Sequence, residues 1–132
     1  MKVFLDTNVL VAAFATRGLC ADVLGSVLAD HQLVTGEVVL TELRRALSRR
    51  LKVPAATVDA IPEFLSEYEV VPKPKAPSDV PIRDPDDRWI LASAVIARAD
   101  VLITGDADLL DVASSARILP PRAFWDLVRT RR

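Results

Sequence analysis

Short apolar runs alternate along this chain with stretches in which apolar residues recur at helical spacing. The predicted strands are brief and rich in β-branched residues, and they cover residues 2–5, 32–34, 69–72, 101–104 and 117–119. The predicted helices cover residues 7–16, 21–30, 37–50, 55–68, 85–98, 107–113 and 121–129. Strands that alternate with helices are typical of a parallel sheet covered on both faces. We therefore expect an α/β fold: a three-layer α/β/α sandwich with a central, mostly parallel sheet.

Breaker residues set the limits of several elements. Arg17-Gly18 is predicted to end the first helix, and Val53-Pro54 the third. Pro62 falls inside the fourth predicted helix and indicates a kink or a break into two short helices. The proline-rich stretch 73–81 is predicted to be an extended loop rather than a domain boundary. A chain of 132 residues suits one domain, so residues 1–132 are expected to form a single unit.

Composition narrows the class of protein. Hydrophobic residues make up 51% of the chain, which argues against disorder. No apolar run approaches the roughly 18 residues of a membrane span, and no signal peptide is recognisable. The single cysteine excludes a disulfide framework and a thiolate zinc site, and the single histidine excludes His-rich metal sites and Ser-His-Asp catalysis. We expect a cytoplasmic protein without membrane attachment.

Two predicted strands end in an aspartate. The first reads VFLD and ends at Asp6, and the fourth reads VLITGD and ends at Asp106. In open parallel sheets, ligands bind beyond the carboxyl ends of the strands, so these side chains are candidates for a shared site. The alternative is that each aspartate caps the helix that follows it.

Glu42 lies in the middle of the third predicted helix, where a capping role is impossible. The apolar face of this helix consists of Val39, Leu43, Ala46 and Leu47. Glu42 lies at the margin of that face, from which its carboxylate could lean over the edge of the sheet. The alternative is a solvated side chain paired with Arg45 or Arg49.

Three acids crowd the start of the fifth predicted helix. One of Asp84 and Asp86 is a natural N-cap, and Pro85 suits the first turn. One acid suffices for a cap, so the sequence holds more carboxylates here than capping needs. Asp87, in the first turn, is best placed to point back into a cleft.

These acids suggest a cation site. The candidates are Asp6, Glu42, Asp84, Asp87 and Asp106. Carboxylates brought close together need a raised pKa or a cation, and without His or Cys clusters the preferred cation is Mg²⁺ or Mn²⁺. The whole chain holds 17 basic and 18 acidic residues, so the surface outside this group is mildly basic. An acidic metal pocket within a basic surround suits a polyanionic substrate.

Four motifs then occur in a family-specific order. They are DTN at 6–8, TEL at 41–43, DPDDRWILASA at 84–94 and LITGDADLL at 102–110. In this order, and at this chain length, they resemble the PIN-domain ribonucleases, in particular the prokaryotic VapC-like toxins of toxin–antitoxin pairs. The resemblance covers nearly the whole chain, from Lys2 to about Trp125.

The resemblance implies a role for particular residues. The acids that would bind metal and act in catalysis are Asp6, Glu42, Asp87 and Asp106. The residues that would support them are Thr7, Asn8, Asp84, Thr104 and Asp108. In the family, the position of Asp106 is often asparagine, which leaves both a direct ligand and a supporting role open for this residue.

The implied activity is hydrolysis of RNA phosphodiester bonds with the help of Mg²⁺ or Mn²⁺. The implied partners are an RNA substrate, an antitoxin protein and a second copy of the chain in a homodimer. A housekeeping RNA-processing nuclease would carry the same motifs. A non-catalytic α/β binding module, in which the acids are only caps, is the remaining alternative. A dehalogenase-like phosphatase is excluded, because it needs an aspartate where this chain has Asn8.

Two further features have an ordinary and a functional interpretation. The stretch RRALSRRLK, residues 44–52, is a solvated basic face or a surface for phosphate or an acidic partner. Trp89 and Trp125 are interpreted as core or interface aromatics rather than platforms for nucleobases.

Overall fold

Five parallel strands form one sheet in the computed structural model, which describes residues 1–50 and 54–130, without the side chain of Arg50. The strands are β1 Lys2–Leu5, β2 Gln32–Gly36, β3 Glu69–Val71, β4 Val101–Ile103 and β5 Ile118–Leu119. Their order across the sheet is β3-β2-β1-β4-β5, and every neighbouring pair is parallel. The predicted fold class is confirmed.

Seven α-helices within the described residues flank the sheet. They are α1 Thr7–Ala15, α2 Leu19–Asp30, α3 Glu37–Arg50, α4 Ala55–Leu65, α5 Pro85–Ile96, α6 Ala107–Leu110 and α7 Pro121–Thr130. Residues 51–53 and 131–132 lie outside the described residues. They include the end of the basic stretch at Lys52, the predicted end of α3 at Val53, and the two arginines at the end of the sequence, Arg131 and Arg132.

Strand β1 lies at the centre of the sheet and carries its most deeply buried side chains. Phe4 pairs with Val34 of β2 on one side and with Leu102 of β4 on the other. The backbone N–H of Asp6 continues this ladder by donating to the carbonyl of Ile103 at 2.9 Å. The carboxyl ends of β1 and β4 therefore lie side by side, so residues that follow the two strands are neighbours.

The apolar face predicted for α3 is the face that packs. Val39, Leu43 and Leu47 are fully buried, while Ala46 is half-buried against them. Glu42 lies at the margin of this face and is half-buried. Packing of the helix thus fixes the direction in which the Glu42 carboxylate projects.

Strand β2 extends two residues beyond its predicted end. Thr35 and Gly36 pair with Val70 and Val71 of β3, so the sheet continues where the sequence indicates a loop. Glycine suits position 36 because a Cβ there would lie only 3.3 Å from Val71 Cγ2 and 3.4 Å from Ser93 Cβ. The missing side chain lets α5 approach the sheet closely.

Several predicted helix boundaries differ from the structure: α2 begins at Leu19 rather than at residue 21, and α4 and α5 end at Leu65 and Ile96 rather than at residues 68 and 98. Of the two outcomes predicted at Pro62, the break into two short helices is wrong, because this residue lies buried inside the single helix α4, where packing tolerates the loss of one backbone hydrogen bond. The helix predicted over 107–113 ends at Leu110 and is followed by a 3₁₀ turn, Ala113–Ser115.

No individual helix in the described part of the chain has the length and apolar character to cross a bilayer. Helices α1 and α2 reach that length and character only as a pair, and the pair is bent by 103°.

The packing of α3 can be tested at Leu43. Because this side chain is fully buried, Leu43→Ala should lower the free energy of unfolding by about 2–5 kcal/mol in urea denaturation. Ser48→Ala, at an exposed position of the same helix, should change it by less than about 0.5 kcal/mol. Equal stability of the two variants would contradict this packing.

Candidate metal and catalytic site

An acidic cavity of about 430 Å³ opens beyond the carboxyl ends of β1 and β4. Among the described residues, its carboxylates are Asp6, Glu42, Asp84, Asp86, Asp87 and Asp106. All four predicted metal-binding acids therefore lie in one cavity, although they come from four separate parts of the chain. Two arginines of α3, Arg45 and Arg49, complete the wall together with Thr7, Asn8 and Ala46.

Asp6 is fixed by hydrogen bonds at both carboxylate oxygens. Its Oδ1 accepts from the backbone N–H of Thr7 at 2.7 Å, and its Oδ2 accepts from the hydroxyl of Thr104 at 2.7 Å. The residue is only 5% exposed. Burial raises the pKa of Asp6 against the lowering effect of these two hydrogen bonds, and the nearby Asp106 adds to the rise.

Glu42 faces Asp6 from α3. The hydroxyl of Thr7 donates to Glu42 Oε2 at 2.8 Å and thereby ties α1 to α3. Burial raises the pKa of Glu42, and the negative charges of Asp6, Asp86 and Asp84 add to this effect. Within residues 1–50 and 54–130, Glu42 forms no ion pair with Arg45 or Arg49, so the solvated ion-pair alternative is not observed.

Asp87 is the most strongly perturbed acid. It is 7% exposed, and its Oδ2 has no hydrogen-bond partner among the described residues. Burial raises its pKa from 3.8 to about 7, with further contributions from Asp106, Asp84 and Asp6. A buried, unpartnered carboxylate oxygen is costly unless something outside the chain satisfies it.

Asp106 and Asp84 act as helix caps, as the capping interpretation predicted, and each uses only its Oδ1 for the cap. Asp106 Oδ1 accepts from the backbone N–H of Asp108 at 2.8 Å, and Asp84 Oδ1 accepts from that of Asp86 at 2.9 Å. The hydroxyl of Thr104 links the ends of β4 and β1, because it donates to Asp6 and also accepts from the backbone N–H of Asp106 at 3.0 Å. Capping therefore orients these carboxylates at the cavity.

A smaller group of acids lies within one potential coordination sphere. Asp84, Asp87 and Asp108 each offer a carboxylate oxygen, and these oxygens lie within 4.8 Å of one another. Asp108 belongs to this group without lining the cavity, whereas Asn8 lines it as an exposed side chain. Asp84 and Asp87 thus belong both to the wall of the acidic cavity and to this group of three acids.

Four wall residues were not predicted as members of the site: Ala46, Arg45, Arg49 and Asp86. Arg45 and Arg49 follow Glu42 by three and seven residues, so helical spacing alone places them on its side of α3. Asp86 was considered only as a cap, but Asp84 takes that role and Asp86 lines the cavity.

Solved structures share this fold at low identity. One is VapBC2 from Rickettsia felis, solved with a DNA fragment from the VapBC2 promoter. It has a TM-score of 0.63 at 16% sequence identity, and the match covers 91% of this chain and 98% of that chain. VapBC-1 from nontypeable Haemophilus influenzae has a TM-score of 0.63 at 20% identity, and the match covers 92% of this chain and 99% of that chain. FitAcB from Neisseria gonorrhoeae has a TM-score of 0.59 at 18% identity, and the match covers 90% of this chain and 97% of that chain. No sequence among curated proteins matches this chain significantly.

The fold and cavity together define a class: parallel α/β proteins with an acidic site beyond the strand ends. The chain belongs to the PIN domain family, whose model matches residues 2–108. This match confirms the family that the sequence motifs indicated, and PIN domains are nucleases.

The perturbed pKa of Asp87 predicts a specific pH dependence of stability. The folded protein keeps Asp87 protonated up to about pH 7, whereas the same residue in the unfolded chain ionises near pH 3.8. The free energy of unfolding therefore falls as the pH rises between these two values. In EDTA, Asp87→Asn should therefore raise the melting temperature more at about pH 8 than at about pH 5.

The control for this prediction is Asp126→Asn, which removes one negative charge from an exposed position on α7. Its effect on the melting temperature should be small at both pH values. A stabilisation by Asp87→Asn that is equal at both pH values would contradict the assignment of the titrating group.

Proposed function

We propose that this chain is a metal-dependent endoribonuclease that hydrolyses RNA phosphodiester bonds with Mg²⁺ or Mn²⁺. The observation that carries the proposal is the unpartnered, buried Oδ2 of Asp87 within a cavity whose charged groups are mostly carboxylates. An oxygen-only donor set fits a hard divalent cation, since no His and no thiolate contributes. Membership of the PIN family supports the nuclease activity.

The residues that would hold the cation are Asp6, Glu42, Asp87 and Asp106, with Asp84 and Asp108 beside them. When bound, a divalent cation supplies a water that ionises more readily and charge neutralisation for the phosphate. The protein contributes rigid acceptors: Thr104 fixes Asp6, and Thr7 fixes Glu42. Hydrogen bonds to the ligand side chains, such as these two, orient the ligands and increase their affinity for metal.

The arginines of α3 serve the substrate in this proposal. Arg45 and Arg49 project into the same cavity as the acids but are exposed. Guanidinium groups form paired hydrogen bonds with phosphate oxygens, so these two can hold the phosphates next to the scissile bond. A carboxylate that is not fully engaged by the cation can orient the attacking water.

We further propose that the nuclease acts in the cytoplasm as the toxin of a type II toxin–antitoxin pair, with an antitoxin partner and as a homodimer. Structural similarity to VapBC and FitAB complexes, two of them solved with DNA, supports this role. Within residues 10–28, Leu10, Val11 and Val23 are buried in the core, so such contacts would use the partly exposed apolar side chains of Phe14 and Leu28. A housekeeping RNA-processing nuclease would lack a small antitoxin-like reading frame beside its gene and would not arrest growth when expressed.

Cleavage of tRNA and ribosomal RNA tests the activity. We expect cleavage with Mn²⁺, none with EDTA, and a loss of at least about 100-fold in Asp6→Asn. Thr104→Val, which removes the hydroxyl that donates to Asp6 and accepts from the backbone N–H of Asp106, should reduce the rate roughly 10- to 100-fold. Asp126→Asn should cleave as the wild type does. Chelator-insensitive cleavage, or no cleavage with any divalent metal, would refute the mechanism.

Cation binding can be measured without RNA. Mn²⁺ should raise the melting temperature at about pH 8, because a ligand that binds only the folded state stabilises it by mass action. Asp87→Asn should lose most of this increase, whereas Asp126→Asn should retain it. A non-catalytic module with capping acids alone would show no metal-dependent shift in any of the three proteins.

A further inference from the structure

A second cavity adjoins the acidic one. Its volume is about 320 Å³, and it shares Glu42, Arg45 and Asp86 with the acidic cavity. The walls that belong to it alone include Trp89 of α5 and Lys73 of the loop after β3. A chain of nucleotides that passes through the acidic cavity can therefore continue into this space without leaving the surface.

Trp89 presents a ring face to this cavity. The side chain is half-buried, and the ammonium of Lys73 lies 4.8 Å from the ring centroid. The backbone N–H of Lys73 donates to Glu37 Oε2 at 3.2 Å, which holds the loop beside the start of α3. The position differs from the core or interface role that the sequence suggested for Trp89, since the ring forms part of a cavity wall.

An aromatic face next to cations is the combination that binds single-stranded nucleic acid. The base stacks on the ring, and the cations bind the phosphates on either side. An exposed cation–π contact is weaker than base stacking, so a base can displace the Lys73 ammonium from the ring. The flexible lysine stem then lets the ammonium reach a phosphate.

We propose that this second cavity is a nucleotide subsite for single-stranded RNA, with the base on Trp89 and its phosphates held by Lys73 and Arg45. The inference rests on the proposed nuclease function and adds to it a binding place for one base, which only an unpaired nucleotide can occupy. Bases in a duplex are stacked on one another and cannot reach the ring. Glu37 and Asp86 in the same wall can accept hydrogen bonds from exocyclic amino groups of a base.

Trp89 can report on its own occupancy. The chain has two tryptophans, so Trp125→Phe leaves Trp89 as the single fluorophore. Asp6→Asn is added to prevent cleavage, and the protein is titrated in Mg²⁺ with an end-labelled single-stranded hexaribonucleotide. Anisotropy of the label measures binding independently of tryptophan.

We expect saturable quenching of Trp89 that follows the anisotropy curve. The matched Trp89→Phe variant, which retains Trp125, should bind the RNA without quenching. Trp89→Leu should raise the Kd roughly 5- to 150-fold, the loss that removal of one stacked base causes. In the otherwise wild-type enzyme it should raise KM by a similar factor and leave kcat nearly unchanged. Lys73→Gln should reduce the slope of log Kd against log salt by about 1.

Several results would overturn the subsite. RNA binding by anisotropy with unchanged Trp89 fluorescence and an unaffected Trp89→Leu variant would refute the subsite but not the nuclease. Equal quenching by double-stranded RNA would refute the restriction to unpaired substrate. Quenching by an acidic peptide but not by RNA would make the cavity a protein-docking surface. Failure of the wild-type protein both to bind and to cleave any RNA would refute the proposed function itself.

Discussion

Repulsion among buried carboxylates is the constraint around which this structure is organised. Asp6 and Asp87 are almost completely buried, and Glu42 and Asp106 face the same cavity. The fold tolerates them because hydroxyl and backbone donors satisfy Asp6 and Glu42 and because Asp87 remains protonated to about pH 7. Stability alone would favour apolar residues at such positions, and buried acids with perturbed pKa values are typical of functional sites.

Two threonines connect this charge to the fold. Thr104 joins the ends of β1 and β4 through Asp6 and Asp106, and Thr7 joins α1 to α3 through Glu42. Both contacts bring together residues that are far apart in sequence, and both position an oxygen without neutralising it. The cavity is therefore preformed by hydrogen bonds and packing, and the cation that we propose would enter a site whose ligands are already oriented.

The sequence predicted which acids lie together where simple geometry decides their positions. Parallel strands bring Asp6 and Asp106 to one edge, and the helical period of α3 places Glu42 at the margin of a buried face. It could not predict contacts that depend on how elements pack, such as the hydroxyl of Thr7 on Glu42 or the ammonium of Lys73 over Trp89. Local rules were also wrong where packing overrides them, as at Pro62 inside α4 and at the end of β2, where Gly36 lets α5 approach the sheet.

A single divalent-cation site formed by these carboxylates would be visible in an anomalous difference map from crystals grown with Mn²⁺. We expect a peak inside the acidic cavity, in contact with carboxylate oxygens of Asp6 and Asp87. A map without a peak there at saturating Mn²⁺, with Asp87 Oδ2 still lacking any partner, would contradict such a site.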